Sequence, residues 1–313
     1  MNMYHYAIRR LLYAIPVLIG VTLVIFLLFN VVAGDPTLIL LGKHATLQQM
    51  VELRHELGLD KSMLMQYCDT LKSAFTLNFG RSWATKQQIM QMIKGGAYAS
   101  LTLSIPAFVL ASLAAIAMAL LAAFFRGKLL DRSLVVVSVI MMSISVLAYI
   151  LFGQWVFAYK LGWFEIAGYE YGFPNFLPYI ILPAIIWIVL SIGPDVRFYR
   201  TVVLDEVHQD YVRTARAKGL SNRIILFKHV LKNAMIPIIT NLVIQVPSLI
   251  LGALLIENFF GIPGLGNITL QAINNSDFPV IKAMTILSSM LYIIFNIITD
   301  VLYTLVDPRV KLK

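Results

Sequence analysis

Six long apolar runs, separated by shorter polar segments, organise this chain. Each run has at least about the 20 residues that a helix needs to cross a bilayer. The runs span about Leu11–Val32, Tyr98–Phe125, Ser133–Tyr159, Leu177–Val196, Pro237–Ile256 and Ala283–Val306. The pattern therefore predicts an all-α polytopic membrane protein with six transmembrane helices.

A segment of mixed polarity, Gly34–Gly96, follows the first run. Thr46 and Ser62 are suited to cap two short helices within it. A third helical piece is predicted over Gln87–Ile93, ending at the pair Gly95-Gly96. We interpret this segment as an extracytoplasmic cap that contacts whatever delivers substrate; a passive connector is the alternative.

The distribution of charge predicts how the spans are oriented. Only 13% of the residues are charged and 59% are hydrophobic, which is typical of an integral membrane protein. Lys and Arg lie before the first run at Arg9-Arg10, in the short turn 126–132, and in the loop between Arg197 and Lys232. Cytoplasmic loops carry such an excess, so both termini are expected in the cytoplasm. The net charge of +9 is explained by this orientation rather than by nucleic-acid binding.

Candidate catalytic, metal-binding and proton-coupling residues are scarce. The single cysteine, Cys68, excludes an internal disulfide, and the histidines lack metal-ligand spacing. The chain contains no P-loop and none of the common hydrolase motifs. Asp195 is expected near an inner membrane end, Glu257 near an outer end, and Asp300 in the inner half of the last span. Proton-coupled carriers need ionisable groups at mid-depth, so this scarcity indicates an energy source on another chain.

The basic loop before the fifth run is predicted to form two short helices. Asp210 starts the first, Gly219 ends it in a left-handed conformation, and Ser221 caps the second. The second helix is expected to show Ile224, Phe227, Leu231 and Ala234 on one face. The small residues Ala215, Ala217 and Gly219 would keep the surface of the first helix low enough for another backbone to approach. The alternative is a loop that merely sets orientation and touches lipid headgroups.

The sequence of this loop resembles the cytoplasmic loop of ABC importer permeases over Gln209–Leu220 and Asn233–Pro237. The whole chain resembles the dipeptide/oligopeptide/nickel permease family, in its first-subunit branch. Further supporting stretches are Gly34–Pro36, Glu56–Lys61, Gln66-Tyr67, Asn78–Ser82, Pro263–Gly266, Asp277–Val280 and Asp307–Arg309. The resemblance implies a type I ABC importer permease fold in the bacterial inner membrane.

The resemblance also implies a division into parts. Residues 1–96 would form the first transmembrane helix and the cap, residues 97–306 a five-helix permease core with a coupling loop at 200–236, and residues 307–313 a cytoplasmic tail. The loop would provide a coupling helix that docks in a groove of a cytosolic ATPase. The residues assigned to this contact are Asp210, Tyr211, Arg213, Thr214, Ala215, Arg216, Ala217, Lys218, Gly219 and Leu220.

The implied partners are a second homologous permease, two cytosolic ABC ATPase subunits, an extracytoplasmic substrate-binding protein and the lipid bilayer. The ATPases would hold ATP and Mg²⁺, with no cofactor and no enzymatic activity on this chain. Small peptides are the expected substrate, and nickel, glutathione or opines are alternatives within the family. An ion-coupled secondary transporter is the alternative from a different class.

Polar residues on the fifth run suggest where the substrate passes. Asn241, Gln245 and Ser248 recur at steps of four and three residues and are predicted to line the pathway. Polar residues at such spacing equally often bridge neighbouring helices. Pro247 stands where the family often has glycine, so this helix is expected to bend differently.

Overall fold

The structure is a computed structural model that describes residues 3–32, 37, 41 and 46–306, and these residues are mainly helical. Among them, extended pairing is limited to one isolated bridge between Arg81 and Gln88. The sequence stretches Gly34–Pro36 and Asp307–Arg309, and the predicted tail 307–313, lie outside the described residues.

The described chain is almost a continuous series of helices. In order they are α1 (Met3–Leu27), α2 (Leu47–Glu56), α3 (Met63–Thr76), α4 (Ile89–Phe124), α5 (Leu129–Ser143), α6 (Val146–Gly153), α7 (Leu177–Val207), α8 (Asp210–Ala217), α9 (Asn222–Ile224), α10 (Leu231–Leu251), α11 (Leu254–Phe259), α12 (Leu265–Asn274) and α13 (Phe278–Val306). Three π-helical stretches extend or join them, at Leu28–Val32, Gln154–Lys160 and Ile225–Val230.

Within the described residues, five helices are long and apolar enough to cross a membrane. There are six candidate spans if α5 and α6, with the π-helical stretch that follows α6, count as one bent span. The predicted polytopic all-α fold is thereby confirmed. The two halves of the bent span meet at 90°. Ile144 is extended there, with φ −88° and ψ 133°, between Ser143 and Ser145. Neither Gly nor Pro marks the break, so the apolar pattern predicted one straight span.

The residues form two compact units, Met1–Gly96 with Ile268–Ile297 and Ala97–Asn267 with Ile298–Lys313. In the first unit, the cap helix α3 packs on α1, with Ala74 buried against Ile25 and Ile286. The Tyr67 hydroxyl donates to the Ile19 carbonyl oxygen at 3.0 Å. The predicted cap segment is therefore held by side-chain packing and hydrogen bonds within its own unit.

The predicted helix starts of the cap are largely correct, and one predicted helix end is wrong. Thr46 forms a capping box with Gln49, with distances of 3.3 Å and 3.0 Å for the two reciprocal bonds. Ser62 occupies the N-cap position of α3 without a hydroxyl cap bond. The third piece does not end at Gly95-Gly96, because α4 continues through both glycines to Phe124. A glycine inside a helix costs only about 1 kcal/mol relative to alanine, so this pair does not end a helix of 36 residues.

The second unit is built around α7, which continues past the predicted end at Val196 to Val207. Arg200 on this extension makes a bidentate ion pair with Asp131 of α5, with Nε–Oδ1 at 2.6 Å and an η-nitrogen–Oδ2 distance of 3.0 Å. The backbone N–H of Gly127 also donates to Asp131 at 3.0 Å. Bidentate pairs of this kind fix the orientation of both groups. Part of the basic loop is thus a rigid continuation of a span.

Candidate functional site

The predicted first loop helix is present as α8, and it ends at the predicted glycine. Gly219 has φ +76°, in the left-handed region that glycine adopts without strain. Its N–H donates to the Arg216 carbonyl at 2.9 Å, and the N–H of Leu220 donates to the Ala215 carbonyl at 3.3 Å. These bonds satisfy carbonyls at the end of the helix and turn the chain sharply.

One face of α8 is buried in the second unit. Val212 is 0% exposed and Ala215 is 5% exposed, and both belong to a cluster with Tyr199, Ile225 and Val230. The first loop helix is therefore fixed to the long helices by apolar packing. A displacement of α8 would be transmitted directly to that cluster, because packed cores deform little.

The opposite face of α8 and the turn that follows it are exposed, and together they carry most of the residues assigned to coupling. Exposed are Asp210, Arg213, Thr214, Arg216, Ala217, Lys218, Gly219 and Leu220. A Cβ added to Gly219 would meet no atom within 4 Å, so its surroundings are open. Ala217 and Gly219 are thus the small residues on the accessible side, whereas Ala215 packs inward. A bulky residue at position 215 would disturb the core before it could obstruct a partner.

Tyr211 lies between the two faces. Its hydroxyl donates to Glu206 Oε2 at 2.6 Å. Burial, followed by the hydrogen bond to the Glu206 carboxylate, raises the pKa of Tyr211 to about 12. The phenol therefore stays neutral and donates at physiological pH, which ties α8 to the end of α7.

The second loop helix is capped as predicted but buries only part of the expected face. The Ser221 hydroxyl accepts from the Ile224 N–H at 3.5 Å. Ile224 is 46% exposed and Phe227 is 60% exposed, whereas Ile225 and Leu226 are buried. The expected face is therefore half correct: Leu231 and Ala234 pack in the buried cluster, whereas Ile224 and Phe227 do not. The two halves differ because Ile225–Val230 is π-helical, which changes the residue spacing along the helix.

Two of the three predicted pathway residues reach across to α7. Asn241 Nδ2 donates to the Tyr199 hydroxyl, and Gln245 Nε2 donates to Asp195 Oδ1, both at 3.4 Å. The Ser248 hydroxyl instead donates to the Gln245 carbonyl at 2.6 Å, within its own helix. The bridging alternative therefore describes the contacts of Asn241 and Gln245 in this structure. Pro247 lies inside the continuous helix α10.

These bridging residues also line an open cavity of about 550 Å³ in the second unit. Its other polar or aromatic lining residues include Trp187, Asp195 and Phe198. Asp195 lies well inside α7, since the helix continues to Val207. The sequence predicted an inner membrane end near Asp195 because the apolar run stops at Val196, and it did not predict the position of Asp195 beside the two amides.

A second buried carboxylate, Glu257, has very different surroundings. It is 0% exposed and accepts hydrogen bonds from the Ser100 hydroxyl at 2.7 Å, the Ala253 N–H at 3.2 Å and the Asn267 N–H at 3.1 Å. A Cβ on Gly252 or Gly264 would overlap its carboxylate. The glycines near Glu257 thus let the backbone close around a charged or polar group that joins α4, α11 and α12.

Two protein-family models match this chain. Residues 115–312 match the family described as binding-protein-dependent transport system inner membrane component. Residues 3–105 match the N-terminal segment described for the membrane components of the same transport systems. Together the two matched regions cover nearly the whole chain.

Similar proteins align with this chain from end to end. A probable peptide ABC transporter permease protein, y4tP, of Sinorhizobium fredii is 34% identical, covering 98% of this chain and 99% of the relative. The dipeptide transport system permease protein DppB of Alkalihalophilus pseudofirmus is 31% identical, with 98% and 99% covered. The glutathione transport system permease protein GsiC of Shigella flexneri is 33% identical, with 99% and 100% covered.

The apolar helices, the matched regions and the full-length relatives agree on one class of protein. The described helices include five or six of spanning length, as a multi-pass inner-membrane component requires. This chain belongs to the family of binding-protein-dependent transport system inner membrane components.

Proposed function

We propose that this chain is the permease subunit of a binding-protein-dependent ABC importer for di- and oligopeptides. The observation that carries the proposal is the alignment over at least 98% of the chain with permeases named for peptide, dipeptide and glutathione transport. Glutathione is itself a tripeptide, so it falls within the same chemical class. Nickel and opines are alternatives that the same family fold would allow.

The importer would contain a second homologous permease, two cytosolic ATPases and an extracytoplasmic binding protein. ATP and Mg²⁺ would be held by the ATPases, and this chain would perform no chemical step. The absence of a P-loop from the sequence supports a nucleotide site on other subunits. Both termini and α8 would lie in the cytoplasm, which the basic residues of the short loops support.

The exposed face of α8 would dock on an ATPase. Its polar and basic residues, with the small side chain of Ala217 and the open surroundings of Gly219, suit close approach of a partner. The buried face, through Val212 and Ala215, would pass the displacement to α7 and α10. Residues 97–306 would act as the permease core, and the cap in residues 1–96 would meet the binding protein.

The substrate pathway is proposed to run beside α10. Asn241 and Gln245 line the open cavity, which supports their assignment. Ser248 is kept as a pathway residue because it is exposed and lies on the same helix. Amide groups bind peptide backbones without requiring a particular side chain, which suits a carrier of varied peptides.

The proposal is tested by reconstitution of the chain with its partner subunits in liposomes. Uptake of labelled alanyl-alanine is expected only when ATP is inside with the ATPases and the binding protein is outside. Liposomes that lack this chain are the control. Uptake that persists without ATP and follows an ion gradient would instead establish a secondary transporter.

A further inference from the structure

Asp195 is a buried carboxylate with too few partners. It is 8% exposed, and its hydrogen bond to a side chain among the described residues is the one from Gln245 Nε2, at 3.4 Å. Within the same described part of the chain, no Lys, Arg or His lies within ion-pair distance of it. A bond of this length is at the weak limit for an amide donor. A buried carboxylate so poorly compensated is costly unless something else binds it.

The surroundings of Asp195 are those of a cation site. It lines the 550 Å³ cavity with the aromatic rings of Trp187 and Phe198 and with the amides of Asn241 and Gln245. Because both amides donate through nitrogen to protein atoms, their oxygens remain as acceptors. Carboxylate, amide oxygens and aromatic faces are together the groups that bind an ammonium ion.

We propose that this cavity binds the α-ammonium group of the transported peptide, with Asp195 as its counter-ion. The inference rests on the proposed function, since it assumes that a peptide passes this way. The cavity has the size of ordinary small-ligand sites, which are about 300–1,000 Å³. The ammonium would donate a charge-assisted hydrogen bond to the Asp195 carboxylate, and its remaining N–H groups would donate to the neutral amide oxygens.

The same contacts support ligand binding by Asp195 better than a purely structural role as a bridge between helices. A polar group that bridges two helices in a membrane protein stabilises their packing most when its partner is close and its other acceptor atoms are also hydrogen-bonded. Here the bridge to Gln245 uses one oxygen at 3.4 Å, beside an open cavity. The carboxylate is therefore placed for a ligand that brings its own donors and charge.

Binding is measured by equilibrium dialysis of the full detergent-purified transporter without the binding protein, so that selection by that protein does not contribute. The probes are labelled alanyl-alanine and N-acetyl-alanyl-alanine, which lacks the ammonium charge. Wild type is expected to bind alanyl-alanine at least about tenfold more tightly than the acetylated peptide, because a hydrogen bond to a charged group typically contributes a free energy of that size. Asp195→Asn should abolish this preference.

Two further variants separate charge from structure. Asp195→Glu keeps the carboxylate and should keep the preference for the free amine. Asp205→Asn is the matched control, because Asp205 is exposed on the same helix, and it should bind both peptides as wild type does. Thermal melting of each variant in detergent verifies that it is folded.

Different results would refute the ammonium site and the proposed importer function. Equal binding of the two peptides by wild type, or an unchanged preference in folded Asp195→Asn, would overturn the ammonium site while ATP-driven uptake still stands. Loss of ATP-dependent peptide uptake from the complete wild-type system would instead refute the proposed function itself.

Discussion

Asp195 and Glu257 are two buried carboxylates in the same unit of the molecule, and their surroundings are opposite. Glu257 accepts from a hydroxyl and from backbone N–H groups at 2.7–3.2 Å, with glycines closed around it. Asp195 has one long bond from an amide and lines a cavity. A buried carboxylate whose hydrogen-bonding capacity is filled holds the fold together. A buried carboxylate whose capacity is only partly filled, and which lies beside open space, is placed to bind a ligand.

The largest expected effect is that of Glu257→Ala. The change leaves the N–H groups of Ala253 and Asn267 and the hydroxyl of Ser100 without their shared acceptor inside the protein. We expect a loss of about 3 kcal/mol or more in the free energy of unfolding, seen as a large fall in melting temperature and in folded yield.

The control for that variant is Glu165→Ala, since Glu165 is exposed. It should change the melting temperature little. If Glu257→Ala melted like this control, the carboxylate would not be holding its three helices together, and the contrast with Asp195 would disappear.

Gly264→Ala tests how closely the backbone packs against the Glu257 carboxylate. A methyl group there would overlap the carboxylate and lie 2.5 Å from the Ser100 hydroxyl oxygen. Overpacking of this kind costs about 1–3 kcal/mol, so the melting temperature should fall by less than in Glu257→Ala. Gly20→Ala is the comparison, because a methyl at Gly20 meets no atom within 4 Å and adds helix propensity. Equal melting temperatures for the two variants would contradict the described packing.

Asp195→Asn should have the smallest effect on stability. Removal of a poorly compensated buried charge should change the free energy of unfolding by less than about 1 kcal/mol, because the neutral amide still bonds to Gln245. Its effect should appear in peptide binding instead. A collapse of folded yield, as large as that of Glu257→Ala, would show that Asp195 is structural.

The sequence predicted features that depend on neighbouring residues. The apolar runs, the cap at Thr46 and the left-handed turn at Gly219 are local, since each is decided within a few residues. The family was also identified from such stretches, especially Gln209–Leu220. The exposed and buried faces of α8 were only partly predicted, because Ala215 and Ala217 have the same side chain and differ only in what packs on them.

Features created by tertiary contact were missed. The bend at Ile144 carries no Gly or Pro, and the π-helical turns at Ile225–Val230 change which residues are buried. Glu257 and Asp195 were assigned to the ends of apolar runs. Their different roles follow from partners that lie far away in sequence, such as Ser100 and Gln245.

If ATP-driven movement is passed to this permease through the exposed face of α8, as we propose, that face must contact an ATPase subunit, and site-specific photo-crosslinking detects such a contact. A benzophenone amino acid replaces Ala217 in the complete transporter, with exposed Lys72 of the cap as the control position. We expect an ATP-sensitive adduct with an ATPase subunit from position 217 and none from position 72. An α8 that yields only lipid adducts in a transporter that hydrolyses ATP and imports peptide would contradict it.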